Sequence, residues 1–567
     1  MQEFQWNKIM VNINPSHKDW YSQIKEPLVK SESSISWDEE ADVVVIGCGG
    51  AGISAALEAA ERRQKVLIID RFFGGGATAA SGGVVYAGGG TRIQKEADVE
   101  DSPEEMYKYL KMETQGIVKD STLRKFCEDS KYNIDWLIEK GVQFNASVYK
   151  KKTSYPTSNY YLYHSDNSLV PKYAEQAIPA ARGHRGYIKK GLRVTGLGGS
   201  IFNPMLESAI ASGVKLMLQT EALRLVTNTR GKVIGVKAMQ IPPGSSAAKK
   251  HMKYSKRAQA FQMYIRPIAK FYRKKAIKIE EEERESKLIR AKKGVVLSSG
   301  GFIFNRKMVK KYIPKYEQGL PLGTTGDDGA GIRLGESVGG VSDFMHRATA
   351  WRFLNPPVAW GQGIVVNQKG ERYCNEMVYG SVLGEIMCEK HKGKGTLIID
   401  RTLRNETLKQ IGPGKLMPFQ RNPVILNLLF NTKRSKTIAG LAKKCGMSPL
   451  KLYNSIEKYN LASKGEIADP FGKPQEDCRG ILKGPFYAID VSLDNRLFPC
   501  SVITLGGLRV DEETGNVKSS DNKDIPGLYA AGRTAVGVCS NIYVSGLSIA
   551  DCIFSGRRAG FNVSESN

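Results

Sequence analysis

An unbroken β-branched run, Val43-Val44-Val45-Ile46, predicts a strand buried on both faces. It stops at Gly47-Cys48-Gly49-Gly50-Ala51-Gly52, and the Ala-rich stretch from Ile53 to Arg63 predicts a helix. A second run, Val66-Leu67-Ile68-Ile69, predicts another buried strand and ends on Asp70. Helices are expected at Glu104 to Glu113 and Thr122 to Lys140, with a Tyr-, Ser- and Asn-rich loop from Tyr155 to Asn167. Strands at Val214 to Leu218 and Val233 to Met239, joined through a turn at Arg230-Gly231, predict a small added sheet. Regular structure resumes at Val295-Val296-Leu297. Residues 1–40 lack periodicity and read as an arm. From about Gly340 to Val502 the chain changes character, and Gly506 to Gly560 is glycine-rich again, with a strand at Gly527 to Ala531.

Composition narrows the classes. At 567 residues, 41% hydrophobic and 25% charged, the chain is that of a globular protein, not a disordered one. No stretch approaches the ~20 apolar residues of a membrane span, and the polar start does not read as a secretory signal. Nine cysteines without a CxxC and six histidines without an HExxH argue against a disulfide framework or a metal site, and for a reducing compartment. The net charge of +26 calls for an anionic partner. Part of it sits in one segment, Ser245 to Lys293, with 16 Lys/Arg against 5 Glu.

Strand, GxGxxG, helix, strand and acid in that order make a dinucleotide site. Gly47 makes the turn, Gly49 admits the pyrophosphate, Gly52 lets helix and strand approach, and Asp70 can accept from ribose hydroxyls. A single GxGxxG does not indicate a second, NAD(P)H-binding domain. Ser299-Gly300-Gly301 and Gly527-Leu528-Tyr529-Ala530-Ala531-Gly532-Arg533 add a second clamp from the far end of the chain, and Ala80-Ser81-Gly82-Gly83 adds a loop able to reach a flavin.

With these pieces, Gly198-Gly199, Thr325 to Gly329, Gly370 to Glu376 and Gly506 to Leu508, the chain resembles the fumarate reductase/succinate dehydrogenase flavoprotein superfamily from about Ala41 to Gly560. The resemblance implies an α/β fold: a Rossmann-type FAD-binding domain built from both ends of the chain, with an inserted α+β cap. The expected parts are an arm at 1–40, the first FAD part at 41–340 with a basic insert at 241–293, the cap at 341–502 and the last FAD part at 503–567. FAD would be held non-covalently, since no histidine lies near Ala80 to Gly83. Its expected contacts are Gly47, Gly49, Gly50, Ala51, Gly52, Asp70, Arg71, Ala80, Ser81, Gly82, Gly83, Gly300, Gly532, Arg533 and Gly546.

Fumarate-reducing relatives carry an arginine just after the Asn-Glu pair and a histidine and an arginine in the C-terminal loop. Here Asn375-Glu376 leads into Met377-Val378-Tyr379-Gly380, and the loop from Gly537 to Gly546 has neither residue. A dicarboxylate needs charged partners, so a neutral, largely apolar ketone is expected. Tyr543-Val544-Ser545, with Tyr379 in the cap, is similar to the 3-ketosteroid dehydrogenases, most of all the Δ4 enzymes acting on 3-keto-5α-steroids. The Δ1 enzymes carry a Tyr-Pro-Gly-Pro-Gly type loop there, where this chain has Tyr543 to Leu547. Tyr543 is expected to take the proton α to the ketone, with Ser545 and Tyr379 as relay. Alternatives are a core tyrosine at Tyr543 and a helix-capping role for Ser545. For the whole chain they are Δ1 regiochemistry, an ene-reductase, or a flavin-fold binding protein without turnover. The electron acceptor stays open.

Residues 249–278 hold eleven Lys/Arg and no acid, with Phe261, Ile265, Ile268 and Tyr272 at helical spacing beside Tyr264 and Phe271. Pro267 would interrupt a helix. The segment reads first as an in-plane contact with an anionic membrane and otherwise as a solvated hairpin; no motif supports nucleic acid. The expected location is the cytoplasm, in peripheral contact with the inner face of a membrane.

Overall fold

The computed structural model describes residues 20–32, 35–157, 159–187, 197–263 and 265–566. Most of the arm and Tyr264 of the insert therefore lie outside the described residues. The expected strand–glycine–helix–strand unit forms β1 (Glu39–Ile46), α1 (Gly50–Glu61) and β2 (Val66–Asp70). β1 and β2 pair in parallel from Val43 opposite Val66 to Ile46 opposite Ile69. Their β-branched residues are fully enclosed, as strands covered on both faces require.

The strands expected to form a small added sheet divide differently. β3 (Lys215–Leu218) pairs in parallel with β2 and forms an edge of the main sheet. β4 (Thr220–Thr227) and β5 (Val233–Gln240) form the antiparallel hairpin around the Arg230-Gly231 turn. β4 is hard to read from sequence because Glu221 and Arg224 interrupt its apolar run.

The insert is α2 (Ser246–Phe261) and α3 (Arg266–Glu282), two packed helices with Pro267 in the first turn of the second. It is shorter than expected. Regular structure resumes not at Val295 but in β6 (Glu285–Leu297), whose first half pairs with β5 and whose second half pairs with β1. Charged residues hid this strand: Ile289 and Ala291 are buried, while the neighbouring cations reach solvent.

The inserted region carries a four-stranded antiparallel sheet, Ile364–Val366, Thr396–Ile399, Phe486–Asp490 and Thr432–Ser435 in spatial order. Around it lie α4 (Gly380–His391) and α5 (Pro418–Phe430). The chain returns through β7 (Asp524–Ala530), which pairs in parallel with the second half of β6, and ends in α6 (Leu547–Glu565).

α6 lies on α1 with the two backbones nearly touching. A Cβ on Gly556 would strike the Ala51 carbonyl, and one on Gly560 the Ala55 carbonyl. Small residues four apart on both helices form this seam. Gly556→Val should therefore cost at least about 1–3 kcal/mol, the usual range for overpacking a filled core. Thermal unfolding of the purified variant checks this; an unchanged midpoint would mean that the helices can separate freely.

Candidate active site

The two ends of the chain enclose one cleft of about 1050 Å³, part of it open to solvent. Its walls include the glycine loop 47–51, Asp70, Arg71, Gly300, Asp327 and Arg533. A Cβ on Gly49 would meet nothing nearer than the Gly76 Cα at 4.0 Å, whereas one on Gly52 would overlap the Gly47 carbonyl. Gly52 thus packs helix on strand, and Gly49 leaves the cleft open at the N-terminus of α1, where backbone dipoles favour an anion. Arg533 is buried; its Nη2 donates to Asp327, and its Nη1 has no protein partner. The open glycine loop and this unpartnered guanidinium nitrogen fit a dinucleotide cofactor.

Other predicted contacts have structural partners already. Asp70 accepts from the Cys48 N–H at 2.9 Å and the Phe72 N–H at 2.8 Å, tying both glycine loops together. Burial pushes its carboxyl up despite these bonds. Arg71 lines the cleft but is gripped by Glu280 (2.7 Å), Glu221 (3.3 Å) and Asp328 (3.4 Å). Gly50 N donates to the Thr78 hydroxyl, Gly300 N to the Thr534 hydroxyl and Gly532 N to the Ser555 hydroxyl. Ala51 lines the cleft. Ala80 ends a short helix, and Ser81 Oγ accepts from Gly83 N at 3.1 Å. The Gly82 carbonyl accepts from the Tyr155 hydroxyl at 2.7 Å.

The insert also belongs to this cleft. Ser255 and Gln259 of α2 form part of its wall, and Glu280 of α3 supplies the shortest ion pair to Arg71. His251 Nε2 lies 3.2 Å from the same carboxylate, and its ring stacks on Phe72. Burial alone would raise Glu280, but Arg71 first and His251 beside it outweigh that and hold the carboxyl below the usual carboxylate range. Ser22 of the arm closes the rim, its N–H donating to Asp328 at 2.6 Å.

A second cluster is built of hydroxyls. The Tyr543 hydroxyl accepts from Gly546 N at 3.2 Å, and its ring lies 4.6 Å from that of Trp351. Ser545 Oγ lies 3.0 Å from the Tyr163 hydroxyl, and the same hydroxyl opposes a small part of the rise that burial imposes on the Tyr379 phenol. The capping alternative for Ser545 falls away: Gly546 is the N-cap of α6 and no side chain caps that end. Gly546 itself, expected at the cofactor, holds the Tyr543 hydroxyl and accepts from Tyr86 N. Tyr379 is the N-cap of α4; its N–H donates to Asn167 Oδ1 at 2.6 Å, and Asn167 Nδ2 donates to Glu113 at 2.9 Å. Burial pushes Tyr543 up to about 12, against the opposing pull of the Gly546 N–H. Burial likewise drives Tyr379 and Tyr163 far above the ordinary tyrosine value.

Tyr163 was not among the sequence candidates. Its signal is the alternation Tyr163-Ser165-Asn167: Tyr163 reaches the Ser545 hydroxyl, Ser165 the Ser545 carbonyl and Asn167 the Tyr379 backbone. Glu376, by contrast, is fully buried between Arg372 (2.8 Å) and Lys473 (3.1 Å), a structural role inside the cap.

Residues 42–546 match the family model described as FAD binding domain, and the chain belongs to that family. It binds FAD and is an oxidoreductase of this class. Within the class, it is 38% identical over 513 residues to the 3-oxo-5-alpha-steroid 4-dehydrogenase of Comamonas testosteroni, covering 89% of this chain and 94% of that one. It is 26% identical to the 3-oxosteroid 1-dehydrogenase of Mycolicibacterium smegmatis over 89% of this chain and 94% of that protein. Among solved structures it superposes on a 3-ketosteroid-delta4-(5alpha)-dehydrogenase from Rhodococcus jostii in complex with 4-androstene-3,17-dione. The TM-score is 0.80, with 28% identity over 96% of this chain and all of that one.

Gly49→Val should yield folded protein without flavin, because the new side chain would occupy the phosphate position and little else. Absorbance near the flavin band together with an intact unfolding transition checks this. A yellow variant would place the pyrophosphate elsewhere.

Proposed function

We propose that this enzyme oxidises the C4–C5 bond of a 3-keto-5α-steroid to the conjugated enone. The observation that carries the reading is the Tyr543, Ser545, Tyr379 and Tyr163 cluster, whose partners are hydroxyls and backbone groups suited to a neutral ketone. The similarity to a 3-oxo-5-alpha-steroid 4-dehydrogenase supports it. Against Δ1 chemistry stands Ser545, a hydroxyl in the relay, followed by Leu547 at the start of α6.

Our reading divides the labour differently from the simplest expectation. Tyr543 accepts from Gly546, so its own proton is free to be donated to the 3-keto oxygen. Raised to about 12, this hydroxyl stays protonated at neutral pH, as it must to donate. It stabilises the negative charge that develops on that oxygen as the C4 proton leaves. The C4 proton passes to the Ser545, Tyr379 and Tyr163 hydroxyls once one of these phenols has lost its own proton to solvent, so the competent form grows as pH rises. Asn167 holds Tyr379 in place from behind. FAD would be held by the glycine loops and Arg533 and would supply the two-electron acceptor for the hydride leaving C5.

Anaerobic mixing with a saturated 5α-3-ketosteroid should bleach the flavin and give the C4–C5 enone; a C1–C2 enone, or no bleaching, would overturn the reading. Tyr543→Phe should lower kcat about a hundredfold or more with flavin retained. Ser545→Ala and Tyr163→Phe should cost less, since either leaves part of the relay. Because the relay phenols titrate above their ordinary ~10, kcat should climb with pH up to at least ~10. That climb should flatten in Ser545→Ala but persist in Tyr543→Phe. A flattened profile in Tyr543→Phe would return the base role to Tyr543.

A further inference from the structure

α5 departs from the pattern of a surface helix. Its inner face buries Val424 and Asn427, yet its outer face exposes Phe419 (44%), Leu426 (39%), Leu429 (68%) and Phe430 (72%). A helix apolar on both faces is normally covered by protein or lipid. With 13 residues it is about 20 Å long, too short for the ~30 Å hydrocarbon core. No helix among the described residues is long and apolar enough to cross a membrane. In-plane contact is the arrangement that suits such a helix.

Charge around the stripe points the same way. Residues 401–451 hold eleven Lys/Arg and one acid, Glu406. Lys415 stands just before the helix, and Lys433, Arg434 and Lys436 just after it, all exposed. Of the eleven, only Lys409 and Lys451 reach a carboxylate within 4 Å among the described residues. Lys433 and Lys444 donate instead to backbone carbonyls. Cations at both ends of an apolar stripe complement an anionic headgroup layer. The same single-sign field opposes burial against a second copy, where cations would face cations.

The helix also adjoins the hydroxyl cluster. Gln420 Nε2 donates to the Tyr155 carbonyl at 3.0 Å, and the Phe419 ring lies 5.6 Å from that of Tyr155. Tyr155 in turn lies 6.2 Å from Tyr163. The basic hairpin lends Ser255, Gln259 and Glu280 to the cofactor cleft, while Ile265, Ile268 and Phe271 near its tip stay exposed.

We propose that α5 docks in the plane of an anionic lipid bilayer, with its Phe419 end presenting the active site to the lipid. An apolar substrate would then pass from acyl chains to the Tyr163–Ser545 cluster without crossing water. That passage rests on the steroid reading; the docking does not. The test is co-sedimentation of the full-length holoenzyme with phosphatidylcholine vesicles, with and without phosphatidylglycerol. The parent should bind the phosphatidylglycerol vesicles and be released by salt. Leu426→Ser/Leu429→Ser/Phe430→Ser should weaken binding about tenfold or more while turnover of detergent-dispersed substrate holds. Lys433→Glu/Arg434→Glu/Lys436→Glu should do the same by charge alone. Undiminished binding by both triple variants would overturn the proposal. So would loss of binding only in Ile268→Ser/Phe271→Ser on the hairpin tip. A parent dimer that the apolar triple variant dissolves would assign the face to self-association instead.

Discussion

The backbone contact between α1 and α6 is the constraint from which the rest follows. Ala51 and Ala55 against Gly556 and Gly560 bring two helices nearly 500 residues apart in sequence into one seam. Because α1 begins at the phosphate loop and α6 begins at Gly546, the seam fixes the cofactor loop relative to Tyr543 and Ser545. The Gly532–Arg533 turn is drawn into the same joint through Ser555. Closing so long a loop costs entropy that grows only slowly with length, and the buried seam can offset it. The site is then held by helices and strands rather than by its own loop.

Electrostatics tie the outlying parts to this frame. Arg71 meets three carboxylates contributed by β4, α3 and the loop before Ala330, so the hairpin and the sheet are clamped at the cleft. Glu280 is buried and paired, and removing one partner of such a pair leaves an uncompensated charge. The surface cations of the hairpin are different: Lys256, Arg257 and Lys275 lie over exposed or half-buried rings and Lys278 pairs with Glu282 at the surface, contacts that add little to stability. With those of the cap, they leave the molecule strongly positive on elements that flank both the cofactor and the hydroxyl cluster.

Sequence pattern reached the frame and half of the site. β1, α1 and β2 were legible because burial on both faces leaves runs of β-branched residues and glycine where backbone must approach. Tyr543 and Ser545 were legible through resemblance, and Tyr379 through its place after Asn375-Glu376. Tyr163 was not, because its partners lie 382 residues away and a Tyr-rich stretch looks like any polar loop. β6 was hidden by Lys287, Arg290, Lys292 and Lys293, which project from a strand whose Ile289, Ala291, Val295, Val296 and Leu297 are buried. Asp70 was legible as an acid at the strand end, but its service to the Cys48 and Phe72 backbone was not, since an acceptor does not announce its donor. The basic hairpin was legible as a charged surface, but the service of Ser255, Gln259 and Glu280 to the cleft was not.

The central claim is that the hydroxyl cluster removes the C4 proton while hydrogen leaves C5. The most direct measurement is single-turnover enone formation from 5α-3-ketosteroids deuterated at C5, at C4, or at C1. The account predicts a primary isotope effect from C5 deuterium, loss of deuterium from C4 in the product, and no effect from C1. An isotope effect at C1 with none at C5 would contradict it and move the chemistry to the other side of the ketone.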